Sequence, residues 1–208
     1  VVSDPILSSY PSVKKRIAGG GFFFHATDDP APIRDLFFDE LRDLSCSLEI
    51  IVARKSPRRF EYAHRRRGDD FYADILGHLL KGKLRLDGRL VLNISQRGSS
   101  TRSIVLERAL EQARTRAEKK WGADELRTKV VFNVLNTRDE PLLSVADYLA
   151  WAVQRVFEQG DTTYYERVLR RVRSIQDIYD RANYAGSLHW YKPSRPLTSE
   201  NKLSPPAH

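Results

Sequence analysis

The sequence predicts an α/β protein, because short apolar runs alternate with longer amphipathic segments along most of the chain. Four runs have the length and composition of buried strands, and they span residues 22–26, 47–53, 89–95 and 129–135. Apolar residues at three- and four-residue steps predict helices over residues 31–44, 69–81, 104–120, 142–160 and 163–179. We expect one domain over residues 1–180 and an irregular, mobile tail over residues 181–208.

The chain begins with a polar lead-in, residues 1–18, whose prolines predict irregular structure. The run FFFHA, residues 22–26, then has the continuous apolar character of a buried strand. It is broken at Asp28 and Asp29, and either aspartate can cap the helix that follows. His25, at the end of this strand, is suited to a core position in which its ring is hydrogen-bonded to the backbone.

The helix predicted over residues 142–160 carries a wide apolar stripe. Ser144 is a good N-cap residue, and Gly160 is well placed just beyond the last turn. Asp147 lies off the stripe in the first turn, where the positive end of the helix dipole favours a carboxylate. Two roles stay open for Asp147: a capping box with Ser144, which the spacing favours, or a metal ligand at the start of a buried helix.

The composition excludes several classes of protein. The chain has one cysteine, so it has no internal disulfide or cysteine-based zinc cage, and we expect a reducing, cytoplasmic setting. Residues 1–15 have no apolar stretch behind a basic start, so we expect them not to be a secretory signal, and no apolar run approaches the roughly 20 residues of a membrane span. It also contains no methionine and begins at Val1. We therefore expect either that a true start, carrying a first strand, precedes Val1, or that methionines have been left out.

The net charge of +8 is concentrated in residues 53–68, ARKSPRRFEYAHRRRG. Guanidinium groups pair well with phosphate, and the interleaved aromatic rings can stack on bases. The alternative is a solvated loop whose cations form salt bridges with neighbouring helices. We predict a contact with the nucleic-acid backbone through the cations of this segment, which are Arg54, Lys55, Arg58, Arg59, Arg65, Arg66 and Arg67.

Three segments, in the same order, resemble a widespread bacterial family that is known as domain of unknown function 3800. They are Phe24-His25-Ala26 with Asp29 and Arg34, Gln96-Arg97-Gly98-Ser99, and the run VADYLAWAVQR that begins at Val145. The family is similar to ribonuclease H-like folds. The resemblance therefore implies a ribonuclease H-like mixed sheet flanked by helices.

The resemblance also implies a site. The aspartate of the Ala-Asp-Tyr motif, Asp147 here, would complete an acidic cluster that holds Mg²⁺ or Mn²⁺. The loop before it carries Asp139 and Glu140, which are candidates for a catalytic group and a second metal ligand. His25 would belong to the same site, in competition with its core interpretation. Arg97, with the glycine and serines after it, would bind an anion.

The function that these features predict is a divalent-metal-dependent nuclease or a related phosphoryl-transfer protein that acts on nucleic acid. The alternative is a catalytically silent nucleic-acid-binding or assembly subunit of the same fold. Two observations favour the alternative: the chain has no Asp-Glu-Ser-Gly motif, which usually opens the family, and Asn93 stands at a mid-strand position suited to a carboxylate in a nuclease of this fold. A hydrogen bond from Asn93 to a neighbouring loop explains this residue at least as well. A third possibility is a module that binds only proteins.

Overall fold

A computed structural model describes residues 5–19, 23–54, 56–96, 103–180 and 188–203. Helices and strands are both present, so the predicted α/β class is confirmed. The chain divides into two compact units. The first unit comprises Val1–Leu48, Leu135–Arg173 and Lys192–Pro205, and the second comprises Glu49–Val134, Ser174–Tyr191 and Pro206–His208.

The helices of the described residues are α1 (Pro5–Ser8), α2 (Pro11–Ala18), α3 (Ala31–Leu41), α4 (Pro57–His64), α5 (Gly68–Leu80), α6 (Ser103–Trp121), α7 (Leu142–Gln159) and α8 (Thr163–Val168). The strands are β1 (Leu48–Val52), β2 (Arg89–Ser95), β3 (Lys129–Leu135), β4 (Val172–Asp177) and β5 (Trp190–Tyr191). They form one sheet in the order β1-β4-β5 and another in the order β2-β3. None of the helices in these ranges is both long enough and apolar enough to cross a lipid bilayer.

Most of the predicted elements lie where their patterns indicate. The predicted helices over residues 31–44, 69–81, 104–120 and 142–160 are α3, α5, α6 and α7, and the strands over residues 47–53, 89–95 and 129–135 are β1, β2 and β3. Gly160 has φ 74°, as expected of a residue that ends a helix in the left-handed conformation.

In the second unit, β2 and β3 are joined through α6 and run in the same direction. Lys129 N donates to Gly88 O at 2.9 Å, and Asn133 Nδ2 donates to Asn93 Oδ1 at 3.1 Å. The partners are 41 and 40 positions apart, a nearly constant offset that parallel pairing requires. Asn93 therefore bonds the neighbouring strand.

Helices α5 and α6 supply most of the core of this unit, which includes Leu80 and four alanines. A β-carbon at Gly77 in α5 would lie 3.1 Å from the carbonyl oxygen of Ala109 in α6. The glycine therefore allows the two helices to approach closely.

The lead-in is not irregular, so that prediction is wrong for its described part. Residues 5–18 contain α1 and α2, and each helix starts at a proline. A proline is tolerated in the first turn because the amide it lacks has no partner there. Leu7 and Val13 are both buried, and this burial stabilises the two short helices.

The strand predicted over residues 22–26 is also absent from the described residues, which begin again at Phe23. Residues 23–25 have no regular structure, and a turn follows. The backbone amides of His25 and Ala26 donate to the carboxylates of Asp29 and Asp147, so they are not available to a strand partner. Asp29 does not cap α3, whose N-cap residue is Pro30.

The helix predicted over residues 163–179 ends early. Helix α8 stops at Val168, and β4 occupies residues 172–177. Val172 and Ile175 are buried in the strand, and Ile175 lies opposite Tyr191 of β5. Pairing with β1 and β5 therefore outweighs the helical spacing of the apolar residues.

Part of the predicted tail is packed into the fold. Strand β5 pairs antiparallel with β4. Leu197 is 4% exposed, and its backbone N–H donates to the hydroxyl of Tyr165 at 3.2 Å. Residues 188–203 therefore differ from an irregular, mobile tail, because a few well-placed apolar side chains among the prolines anchor them.

Candidate functional site

Asp147 of α7 does not take the capping role that the sequence predicts. The helix begins at Leu142, whose N–H donates to Glu140 Oε1 at 3.2 Å, so Ser144 is inside the helix and buried. The predicted N-cap at Ser144 is therefore wrong, and so is the capping box with Asp147. Instead, Asp147 Oδ2 accepts a hydrogen bond from the backbone N–H of Ala26 at 2.9 Å.

A second carboxylate, that of Asp29, binds the turn that contains Ala26. Its side chain is fully buried, pairs with Arg16 and accepts hydrogen bonds from the Tyr148 hydroxyl and the His25 backbone N–H. Burial raises the pKa of Tyr148 well above its usual value, and the hydrogen bond to Asp29 raises it further. Tyr148 is therefore a neutral hydrogen-bond donor at physiological pH.

Arg34 binds two carbonyl oxygens of the same turn. Arg34 Nη1 donates to the carbonyl oxygen of Ala26 at 3.0 Å and also to that of Asp29. Its guanidinium lies 4.9 Å from the centroid of the Trp151 ring, a distance typical of a cation–π contact. Residues 25–29 are thus held by side chains from α2, α3 and α7, and we call this segment the clamped turn.

The clamped turn brings together two of the predicted catalytic residues, His25 and Asp147. The side chain of His25 is 37% exposed, which does not agree with the core-histidine interpretation. Its Nδ1 lies 3.6 Å from Asp28 Oδ2. Asp147 binds the residue next to His25, so the histidine and this carboxylate share one local structure.

The two acids before α7 have hydrogen-bonding roles in the local backbone. Glu140 Oε1 accepts the hydrogen bond that starts α7, and the backbone N–H of Asp139 donates to the carbonyl oxygen of Asn136. Within the described ranges, no three His, Cys, Asp or Glu side chains are close enough to hold one ion.

The basic segment of the second unit forms α4 and the residues that follow it. Three of its described cations pair with carboxylates: Arg54 with Asp177 and Asp180, Arg66 with Glu61 and Arg67 with Asp70. The other three form no ion pair with a carboxylate within the described part of the chain; these are Arg58, Arg59 and Arg65. Lys55 and Arg97 lie outside the described residues.

Arg58 and Arg59 of α4 border an open cavity of about 450 Å³. Arg54, Tyr62 and Tyr179 also line it. The guanidinium of Arg59 lies 3.8 Å from the centroid of the Tyr179 ring. Positive charge and aromatic surface are therefore combined in one concave site.

A buried polar network fixes Tyr179 beneath Arg59. The Tyr179 hydroxyl donates to Asp74 Oδ2, and the same carboxylate binds Arg116 and, at 3.1 Å, His64 Nε2. Burial alone would raise the pKa of Asp74, but the hydrogen bonds from Tyr179 and His64 and the charge of Arg116 together lower it. Burial, aided by Arg116, lowers the pKa of the adjacent His78 to about 4.

Arg54 forms ion pairs with two buried aspartates. Its Nε lies 2.7 Å from Asp177 Oδ2 and its Nη2 lies 2.9 Å from Asp180 Oδ2, and both carboxylates are buried. Burial raises the pKa of Asp177 above its usual value, while the charge of Arg54 opposes the rise. This arginine therefore neutralises buried acids besides bordering the cavity.

Sequence reasoning missed Asp29 as a buried anchor, and also Asp74 and the pair of buried acids around Arg54. The one signal for Asp29 was its place in the family-like segment, and the other acids carry no local signal. Comparison of the chain with known protein families, with curated proteins and with solved structures found no match. The resemblance to the ribonuclease H-like family therefore stays a prediction.

Proposed function

We propose that this protein binds nucleic acid through the phosphate backbone, with the basic segment around α4 as the contact surface. One observation carries the proposal: Arg58, Arg59 and Arg65 have no carboxylate partner in the described residues, and two of them border a cavity with aromatic walls. Phosphate is the common biological group that a cluster of free guanidinium groups suits best.

The alternative interpretation, a solvated face whose cations serve salt bridges, accounts for only half of the segment. It describes Arg54, Arg66 and Arg67, which have acidic partners. It gives no reason for placing Arg59 against the ring of Tyr179 and Arg58 at the same cavity. Cations that repel one another in a concave site favour an anionic ligand that offsets the repulsion.

We expect the double variant Arg58→Gln/Arg65→Gln to bind a labelled oligonucleotide at least about a hundredfold more weakly at low salt, since each of the two lost charge-assisted contacts costs about 1.5–3 kcal/mol. The slope of log affinity against log salt should fall by about 0.7–0.9 for each cation that contacts a phosphate. Fluorescence anisotropy across a salt series measures both quantities.

The matched control removes the same charge from elsewhere in the second unit. Arg85 pairs with Glu125 at 3.2 Å and Arg127 lies 3.8 Å from Asp87, so Arg85→Gln/Arg127→Gln changes net charge equally without touching α4. If this control loses as much affinity as the α4 variant, the binding depends on overall charge and the proposed surface is wrong. Absence of binding by the unmodified protein would also contradict the proposal.

A second candidate function, a metal-dependent nuclease, is supported by the clamped turn. Asp147 bonds the residue next to His25, so two residues predicted to be catalytic lie together. Calorimetric titration of Mn²⁺ into the protein and into Asp147→Asn tests this candidate, because the amide can still accept the Ala26 N–H and preserve the turn. A metal site predicts binding that the substitution abolishes, and the absence of binding in both proteins contradicts it.

A further inference from the structure

Tyr62 of α4 bears on whether the nucleic acid that binds there is single- or double-stranded. Tyr62 is 83% exposed and borders the same cavity as Arg58 and Arg59. Arg58 precedes it by four residues in the same helix, so this cation and the ring lie along one side of α4. Arg65 follows the last residue of the helix in the left-handed conformation, with φ 51°. A large exposed ring beside cations of the cavity is a stacking surface of the kind that single-strand-binding proteins use.

The two tyrosines of the cavity differ in what they can do. The ring of Tyr179 is covered by the guanidinium of Arg59, and its hydroxyl is bound to Asp74. Tyr62 is the more exposed ring, so it is the one that can receive a flat ligand group. An exposed tyrosine is unremarkable by itself, but this one borders a concave site together with Arg58 and Arg59.

The form of nucleic acid follows from this geometry. In a duplex the faces of the bases are covered by their neighbours, and a protein side chain meets only base edges and the backbone. An unpaired base leaves its face available for stacking. We propose that the ligand of α4 is single-stranded nucleic acid, with one base stacked on Tyr62 and an adjoining phosphate held by Arg58, which lies on the same side of the helix and borders the same cavity. This inference rests on the proposed function.

The test compares Tyr62→Ala and Tyr62→Phe with the unmodified protein. The probes are a labelled single-stranded DNA, the same sequence as RNA, and the DNA strand annealed to its complement. We expect tighter binding of a single strand than of the duplex, and a loss of about tenfold in Tyr62→Ala. Tyr62→Phe should bind like the unmodified protein, because it keeps the ring. The salt slope should be unchanged in both variants, since neither removes a charge.

The outcomes separate this inference from the proposed function. If the protein binds duplex as tightly as single strands and Tyr62→Ala binds normally, while Arg58→Gln/Arg65→Gln is weakened, the stacking inference is overturned and the proposed function stands. If none of the probes binds, both are overturned. Tyr62 is exposed, so its replacement should not unfold the protein, and circular dichroism of each variant verifies this.

Discussion

Replacing Asp29 with asparagine should lower the free energy of unfolding by about 2–3 kcal/mol, because it removes the buried partner of a part-buried ion pair and leaves its hydrogen-bond donors incompletely satisfied. The carboxylate pairs with Arg16 and accepts hydrogen bonds from Tyr148 and the His25 backbone N–H. An amide can replace only one of its two acceptor oxygens and presents a donor to the other partner. Urea denaturation measures the change as a lower midpoint with an unchanged m-value.

The neighbouring residue supplies the control for this experiment. Asp28 has 66% of its side chain exposed and lies 3.6 Å from the ring of His25. Asp28→Asn should therefore change the stability by less than about 0.5 kcal/mol. A loss in Asp29→Asn no larger than that in Asp28→Asn would show that the clamped turn does not depend on the buried carboxylate.

Arg54→Gln should be the second strongly destabilising change, at about 3 kcal/mol near neutral pH. It leaves Asp177 and Asp180 buried without their shared cation. Arg58→Gln is the control, since Arg58 is exposed and forms no ion pair with a carboxylate in the described residues, and it should unfold like the unmodified protein.

The loss of stability in Arg54→Gln should be smaller at acidic pH than at neutral pH. Burial holds the pKa of Asp177 above its unfolded value, and Arg54 opposes that rise, so loss of Arg54 raises the pKa further. A carboxyl group with a raised folded-state pKa binds its proton more tightly in the folded protein, and its unfavourable charge is removed as the pH falls. The deficit of Arg54→Gln should therefore shrink when urea denaturation is repeated at mildly acidic pH. An equal deficit at both pH values would mean that lost packing, and not buried charge, is responsible.

Local sequence information was sufficient for the elements whose pattern and burial coincide. Helix α7 was predicted because its apolar residues repeat with the helical period, and Gly160 ends it as expected. Strands β2 and β3 were predicted because β-branched and aromatic residues are concentrated between turn signals. In both cases the residues that determine the structure are neighbours in the sequence.

The wrong predictions involve partners that are distant in the sequence. Residues 23–26 were predicted to continue a strand, but Asp147, 121 positions away, accepts the N–H of Ala26. Strand β4 was predicted as helix, because its apolar spacing suits both structures and only pairing with β1 and β5 distinguishes them. No window of neighbouring residues contains this information.

The candidate site was also predictable only where local sequence determines it. The basic composition and interleaved aromatics of residues 53–68 predicted a cationic surface, and the structure has one. Which of its cations are free was not predictable, since Arg54 meets Asp177 at a separation of 123 residues. Of the two buried acids that pair with Arg54, Asp177 lies in β4, in a segment that was predicted as helix, and Asp180 follows just beyond it.

The central claim is that nucleic acid contacts α4, and photo-crosslinking tests it most directly. The protein is irradiated with a halogenated single-stranded oligonucleotide, and mass spectrometry identifies the modified peptide. We expect the major cross-link on the peptide that contains Tyr62, and its loss in Tyr62→Ala without the appearance of another site. Cross-links that lie mainly in the first unit, such as on residues of the clamped turn, would contradict the assignment of the binding surface to α4.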